Sequence, residues 1–368
     1  MKGLIDSTLR EGTQRVGVRF SSQQKQEIVS RLLDAGIEEI ELGIVSTYDH
    51  ELRQLLSWCR KHTNHRRYAL WSRCCENDIR AAADLAPDIL SLSIPVSDLH
   101  IHKKLERDRP WILTNLKKSL HLAYQLGFRY ISVGLEDATR GDRDFLDMVF
   151  KTIRDNGAKR IRLADTVGIA GPTEMSNLVR RALNISGLEV GVHTHNDFGM
   201  ATANALLALE SGAQWADATI MGLGERAGNA RLEELASFLH IRNKHNYDPA
   251  ALVELAKITA KMCHREIASD KPLLGKQIFS CETGLHLQGL VREPASYEPF
   301  PPEKIGAQRD LRFGAKVGKK TLRDRINAAG QSLSEPQLEE LVRNVRTVFQ
   351  DNNASLPLNE LDRLLQPG

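Results

Sequence analysis

Short apolar runs recur along the first two thirds of the chain, and between them apolar positions return at helical spacing. The runs are KGLIDS (2–7), IEEIELGI (37–44), RYALWS (67–72), DILSLSIPV (88–96), YISVGLE (130–136), RIRLAD (160–165), LEVGVHTH (188–195) and ADATIMGLG (216–224). In the first intervening segment Ile28, Leu32 and Leu33 share a face, and in the fourth Leu113, Leu116, Leu120 and Ala123 do. Ser21 with Gln24 predicts a capping box that opens the first helix, and Gly36 stops it. Eight strands alternating with eight helices over about 240 residues predict an α/β fold, a (β/α)8 TIM barrel, over residues 1–258. The rival is a doubly wound open sheet. It needs no eight regular repeats, and the G-x-G-x-x-G turn expected after its first strand is absent.

Beyond residue 250 the rhythm changes. Residues 249–267 are helical by spacing, SDKPLLGKQIFS and REPASYEPFPPEKIG are loop-rich, and prolines cluster between 294 and 302. Residues 334–350 predict an amphipathic helix with Leu338, Leu341, Val342, Val345, Val348 and Phe349 on one side. This predicts a smaller, mainly helical C-terminal subdomain over 259–368, packed on the barrel or on a partner's barrel.

Composition narrows the classes. Hydrophobic residues make up 41% of the 368 and charged residues 26%, which reads as an ordinary globular protein. A net charge of +3 gives no electrostatic case for nucleic acid. No apolar stretch approaches the ~18 residues of a membrane span, and MKGLIDSTL does not read as a secretory leader, so a cytoplasmic protein is expected. The five cysteines lack C-x-x-C spacing and read as free thiols.

In a barrel, chemistry collects where strands end and βα loops begin. The first strand ends at Arg10 and Glu11, the fifth at Glu136 and Asp137, and the sixth at Asp165 and Thr166. The seventh ends at His193 and His195, and the eighth at Glu225, Arg226 and Asn229. Residues i and i+2 of a strand face one side, so His193 and His195 can reach one ion. Two imidazoles with a carboxylate and an amide oxygen suit Zn, Mn or Mg. Arg10, always charged, is a fixed donor for an oxyanion, or else an ion-pair partner of Asp6 or Asp165. Asn229 reads equally as a metal or water ligand and as a helix cap.

DSTLREG, LADTVG, HTHND with GMATANALLALESGA, and GLGERAGNARLEEL together resemble the DRE-TIM metallolyase superfamily. Within it the chain resembles the acyl-CoA-condensing homocitrate, isopropylmalate and citramalate synthases. Chain length, SIPVSDLHI and VGLEDATR look most like homocitrate synthases of the nitrogen-fixation type. The resemblance implies Glu11, His193 and His195 as ligands of a divalent metal, with Asn229 close by or a fourth ligand. It implies that Arg10 polarises the ketone of a 2-oxo acid, and that Gln14, Glu136 and Thr166 hold substrate or water, with Glu136 a proton shuttle. In CETGLHLQG it makes His286 the general base, sent into a partner's site in a homodimer. The family's HESGIH is CETGLH here, and its GKHSG is GAKVG (314–318).

The expected function is therefore acetyl-CoA condensation with a 2-oxo acid, best 2-oxoglutarate, followed by thioester hydrolysis to homocitrate and CoA. Isopropylmalate or citramalate synthesis, a lyase running the reverse cleavage, and a non-catalytic metal-binding barrel are the alternatives. A distal carboxylate needs donors; His100, His102, Lys103 and Lys104 follow the fourth strand and offer them, unless that stretch is a solvated loop. Residues 316–325, KVGKKTLRDR, meet CoA phosphates or form a solvated face.

Overall fold

The computed structural model describes residues 1–46, 50–65, 67–282, 284–313, 317–328, 330–352 and 356–357. Thr283 of CETGLH and residues 314–316 of GAKVG lie outside them, as do the side chains of Val348 and Phe349. Cα packing divides the chain into two compact units, Met1–Glu266 and Ile267–Gly368.

The first unit is a closed barrel of eight parallel strands in chain order: β1 (Gly3–Asp6), β2 (Glu39–Ile44), β3 (Tyr68–Arg73), β4 (Ile89–Pro95), β5 (Ile131–Glu136), β6 (Arg160–Asp165), β7 (Glu189–Thr194) and β8 (Trp215–Ala218). Closure is made by β1 on β8, with Gly3 opposite Trp215 and Asp6 opposite Ala218. Each expected apolar run overlaps one strand, β3 extending one residue past its run to Arg73 and β8 starting one residue before its run at Trp215. The first helix, Ser22–Asp34, opens with the capping box: Ser21 N donates to Gln24 Oε1 (2.8 Å) and Gln24 N to Ser21 Oγ (3.2 Å). Gly36, at φ +87°, takes the left-handed turn after it, where any side chain would be strained. The helix predicted over 249–267 runs only Pro249–Met262, because His264 at φ +51° leaves helical space.

The barrel interior is charged, in tiers set by the two-residue period of a strand. Glu39, Arg160 and Trp215 begin their strands, so they plug the N-terminal mouth. Arg160 donates to both Glu39 oxygens (2.6 and 3.0 Å) and to Ser132 Oγ (2.9 Å), and its guanidinium lies over the Tyr130 and Trp215 rings. Two residues further along, Glu41, Arg162 and Asp217 form the next tier, with Arg162 Nη1 2.9 Å from Glu41 Oε1. Buried ions survive only when paired and hydrogen-bonded, and these are.

In the second unit a core of Leu287, Phe313, Val317, Leu322, Ile326, Leu338, Leu341, Val342 and Val345 is enclosed by helices Gly284–Arg292, Lys319–Ala328 and Glu335–Asn352. The sequence pattern did not disclose its small sheet of Ser280–Cys281, Asp310–Phe313 and Leu356–Pro357. Two of these strands are two residues long, too short for any periodicity. Lys319 and Arg323 of the basic run pair with Glu339 and Glu335. Among the described residues no helix is long and apolar enough to cross a membrane.

The pairing predicts an asymmetric mutational response. Glu39→Ala leaves Arg160 buried without its counter-ion and should cost about 3–5 kcal/mol in urea unfolding. Adding Arg160→Leu should recover much of that loss; strictly additive losses would show that the pair is not coupled.

Candidate metal centre and active-site cavity

The turn after β1 is built by Asp6. Its carboxylate accepts from Thr8 N (3.0 Å) and Thr8 Oγ1 (2.7 Å), and Thr8 Oγ1 in turn accepts from Ile220 N (2.9 Å) beyond β8. Burial pushes the Asp6 carboxyl up to about 7 even against these bonds. Ser7 O receives the amides of Arg10 and Glu11 (3.0 and 2.7 Å), and both side chains end up buried. Arg10 pairs with Glu11 and Glu41, so neither Asp6 nor Asp165 is its partner. Asp165 instead accepts from Thr139 Oγ1 (2.9 Å) and from the amides of Ile169 and Ala170, holding the loop after β6.

His193 and His195 meet Glu11 on the barrel axis. Their Nε2 atoms are 3.1 Å apart, and Glu11 Oε1 is 3.2 Å from His193 Nε2. One ligand atom from each of the three residues lies within 4.8 Å of the others. His193 Nδ1 donates to Asp217 Oδ2 (2.8 Å), which leaves the Nε2 lone pair toward Glu11 and His195. Burial and the neighbouring His193 hold the His195 imidazole down to about 3, so it is neutral. Burial alone would raise Glu11, but the Arg10 charge holds its carboxyl well below the usual range. Burial would likewise raise Glu41; Arg10 and Arg162 hold it at about 2.

Asn229 faces His195 across an isolated β-bridge and is buried. Its Nδ2 donates to Leu223 O (3.0 Å), while its Oδ1 has no hydrogen-bond partner. A Cβ at Gly224 would collide with that amide, which is why the loop carries glycine there. The following helix, Leu232–Asn243, has Arg231 at its N-cap, so Asn229 is not a cap. Glu11 Oε2 is a second buried oxygen without a donor. Two unsatisfied buried oxygens beside two imidazoles fit a divalent cation, because such orphaned acceptors are costly unless something positive meets them.

A cavity of about 280 Å³ opens above this cluster. Nine of the residues expected at the site line it: Arg10, Glu11, Gln14, Lys104, Glu136, Thr166, His193, His195 and Glu225. Thr166 Oγ1 accepts from Asp137 N (2.8 Å), which leaves its hydroxyl proton free to donate. Asp137, in left-handed backbone at φ +61°, turns away into Arg140 and Ser97. His100 does not line the cavity, but its Nδ1 is 3.0 Å from Glu136 Oε1; His102 is exposed and the structure does not bring it in. His286 lies in the second unit, exposed, its ring 4.3 Å from that of Tyr297.

Three residues at or beside the cavity carry no motif that assigns them a role: Glu41, Arg162 and Asp217. The alternation in EIE (39–41) and RIR (160–162) is the available signal for two of them, since charges two apart on buried strands must face one another inside. Arg226 straps three loops: it donates to Asp197 (3.0 Å) and Thr166 O (2.7 Å), and lies 2.8 Å from His195 Nδ1.

Residues 3–259 match the model of the HMGL-like family, and residues 273–353 that of the homocitrate synthase post-HMGL domain-like family. The chain belongs to the HMGL-like family. A relative, the homocitrate synthase of Frankia alni, is 36% identical over 330 residues, covering 88% of this chain and 93% of that one. 2-Isopropylmalate synthase 2 of Caldanaerobacter subterraneus subsp. tengcongensis is 34% identical over 345 residues, covering 93% and 89%. Among solved structures, hydroxymethylglutaryl-CoA lyase from Pseudomonas aeruginosa superposes with a TM-score of 0.64 at 18% identity, over 72% of this chain and 93% of that one. At that identity the likeness is one of fold.

Isothermal titration of the metal-stripped chain with Mn²⁺ or Zn²⁺ should show one strong site. Glu11→Ala or His193→Ala should abolish it, and Asp217→Asn, which alters the support of His193, should weaken it about 10–100-fold. Unchanged affinity in all three variants would place the cation elsewhere.

Proposed function

We propose that the chain condenses acetyl-CoA with a 2-oxo acid, 2-oxoglutarate being the favoured acceptor, and hydrolyses the thioester to release homocitrate and CoA. The observation that carries this reading is the meeting of Glu11, His193 and His195 with Arg10 and Glu136 in one cavity. Isopropylmalate and citramalate synthesis use the same arrangement and differ only in the acceptor. Cleavage by a lyase is favoured less. The relatives named as synthases align over about nine tenths of this chain, and the stretch 273–353 matches a post-barrel domain of homocitrate synthase type. The lyase likeness covers 72% of the chain. A non-catalytic barrel would have no need to keep Arg10 and Glu136 beside the cluster.

In this reading Glu11, His193 and His195, with Asn229 adjacent, hold the divalent cation. When bound, such an ion supplies positive charge that polarises a ketone and its neighbouring carboxylate. Arg10 is kept in place by Glu11 and Glu41, and so presents fixed N–H donors to the alkoxide that forms on the ketone oxygen. Such preorganised donors lose no reorganisation energy at the moment of reaction. His286, carried by the second unit of a partner copy in a homodimer, is the general base that removes a proton from the acetyl methyl group, and Glu136 helps by relaying it. The carbanion adds to the ketone carbon; water then attacks the thioester, CoA leaves as the thiol, and the new carboxylate departs with homocitrate. Thr166 and Gln14 orient acceptor or water. His102, exposed, has no part in this, and His100 acts beside Glu136. The same reading makes the protein cytoplasmic.

A thiol-release assay with acetyl-CoA and a panel of 2-oxo acids tests it. CoA release on 2-oxoglutarate is the expected result; turnover confined to 2-oxoisovalerate or pyruvate would change the acceptor, and silence on every acceptor with metal bound would refute condensation. Arg10→Ala should retain metal while losing about 10²–10³ in kcat, the cost of removing an oxyanion donor. Near-normal kcat would remove Arg10 from the mechanism.

A further inference from the structure

Glu136 ends β5 opposite Pro95, the last residue of β4. The chain leaving β4 does not enter an ordinary loop: His100–Lys104 form a single π-helical turn, closed by Leu105 N donating to His100 O (3.1 Å). Such wide turns are rare and concentrate at functional sites. This one is anchored to β5, because Ser97 Oγ accepts from His100 N (3.3 Å) and donates to the buried Asp137.

The turn brings its first and last side chains up to Glu136, and the last one bonds it. Lys104 Nζ donates to Glu136 Oε1 (2.5 Å), while His100 Nδ1 lies 3.0 Å from the same oxygen without the alignment of a hydrogen bond. Ile101 between them is buried, while His102 and Lys103 point to solvent. Lys104 bonds Oε1, so Oε2 is the oxygen left for a proton donor. Of the three Arg and Lys side chains lining the cavity, Arg10 and Arg162 are each held by two carboxylates, and only Lys104 is engaged by a single one.

We propose that Lys104 is a positioning residue for Glu136: its ammonium holds Oε1 and so fixes the carboxylate that handles the proton. This rests on the role given to Glu136 above. A glutamate at a strand end has free side-chain torsions, and aiming it costs entropy unless something holds it. A surface ion pair alone would be worth little to stability, so the consequence lies in turnover. Lys104 is more than half exposed, so its replacement leaves the fold intact.

The test is steady-state kinetics on the full, metal-loaded chain for Lys104→Met, Lys104→Arg, Glu136→Gln and the Lys104→Met/Glu136→Gln pair. Lys104→Met should lower kcat at least about tenfold with both KM values within about threefold, and Lys104→Arg should restore most of it. In the Glu136→Gln background the same change should cost less than about twofold, because there is no longer a carboxylate to aim. Equal losses in both backgrounds, or a loss confined to KM for the 2-oxo acid, would overturn the proposal; the latter would show Lys104 gripping a substrate carboxylate. Crystal structures of wild type and Lys104→Met read the placement without turnover: Glu136 should swing away from His100 in the variant, and an unmoved carboxylate overturns the proposal. If the wild type turns over no acceptor, the condensation reading falls, and the crystallographic comparison alone decides the role of Lys104.

Discussion

A continuous chain of alternating charge, from Glu11 through Arg10, Glu41, Arg162 and Asp217 to His193, runs inside the barrel and returns to Glu11. Each member is buried, and each would be expensive there alone. Together they fix two things. Asp217 accepts a hydrogen bond from His193 Nδ1, which turns Nε2 toward Glu11, and Glu41 holds the Arg10 guanidinium at the cavity. The metal-ligating face and the oxyanion donor are thus two ends of one network.

The barrel makes this network possible because closure sets the heights of eight strands against one another. Glu41, Arg162 and Asp217 are far apart in sequence, yet each lies two residues after the first residue of its strand, so they share a tier. The tier below, Glu39 with Arg160, seals the bottom and keeps water from the charges above. At the top, the loops supply what strands cannot: the Asp6-built turn delivers Glu11, the glycine at 224 admits the Asn229 amide, and the π turn brings Lys104 onto Glu136. Rigid strands hold the ligands, and irregular backbone trims the cavity.

Much of this is legible in the order of residues alone. Apolar runs locate all eight strands, since a strand buried on both faces must be apolar over its length except where its charges find partners. The H-x-H spacing puts two imidazoles on one face, and the strand-end rule gathers Arg10, Glu11, Glu136 and Thr166 with them. The interior charges are harder. Glu39 and Glu41, or Arg160 and Arg162, look like surface residues until their strands are known to face across a barrel. Asp217 carries no motif at all. The two-residue strands of the second unit fall below the length at which a pattern exists.

Fold, element order and the residue types at the rim follow from the amino-acid sequence, because periodicity and loop position are local properties of the chain. Which atoms meet is a matter of tertiary structure. Whether Arg10 pairs with Asp6 or Glu41, whether Asn229 caps a helix or faces His195, and whether His102 or Lys104 turns inward all depend on distances between strands remote in sequence. Those distances come from closing the barrel, and electrostatic interactions at about 3 Å are decided by shifts smaller than any sequence pattern can encode.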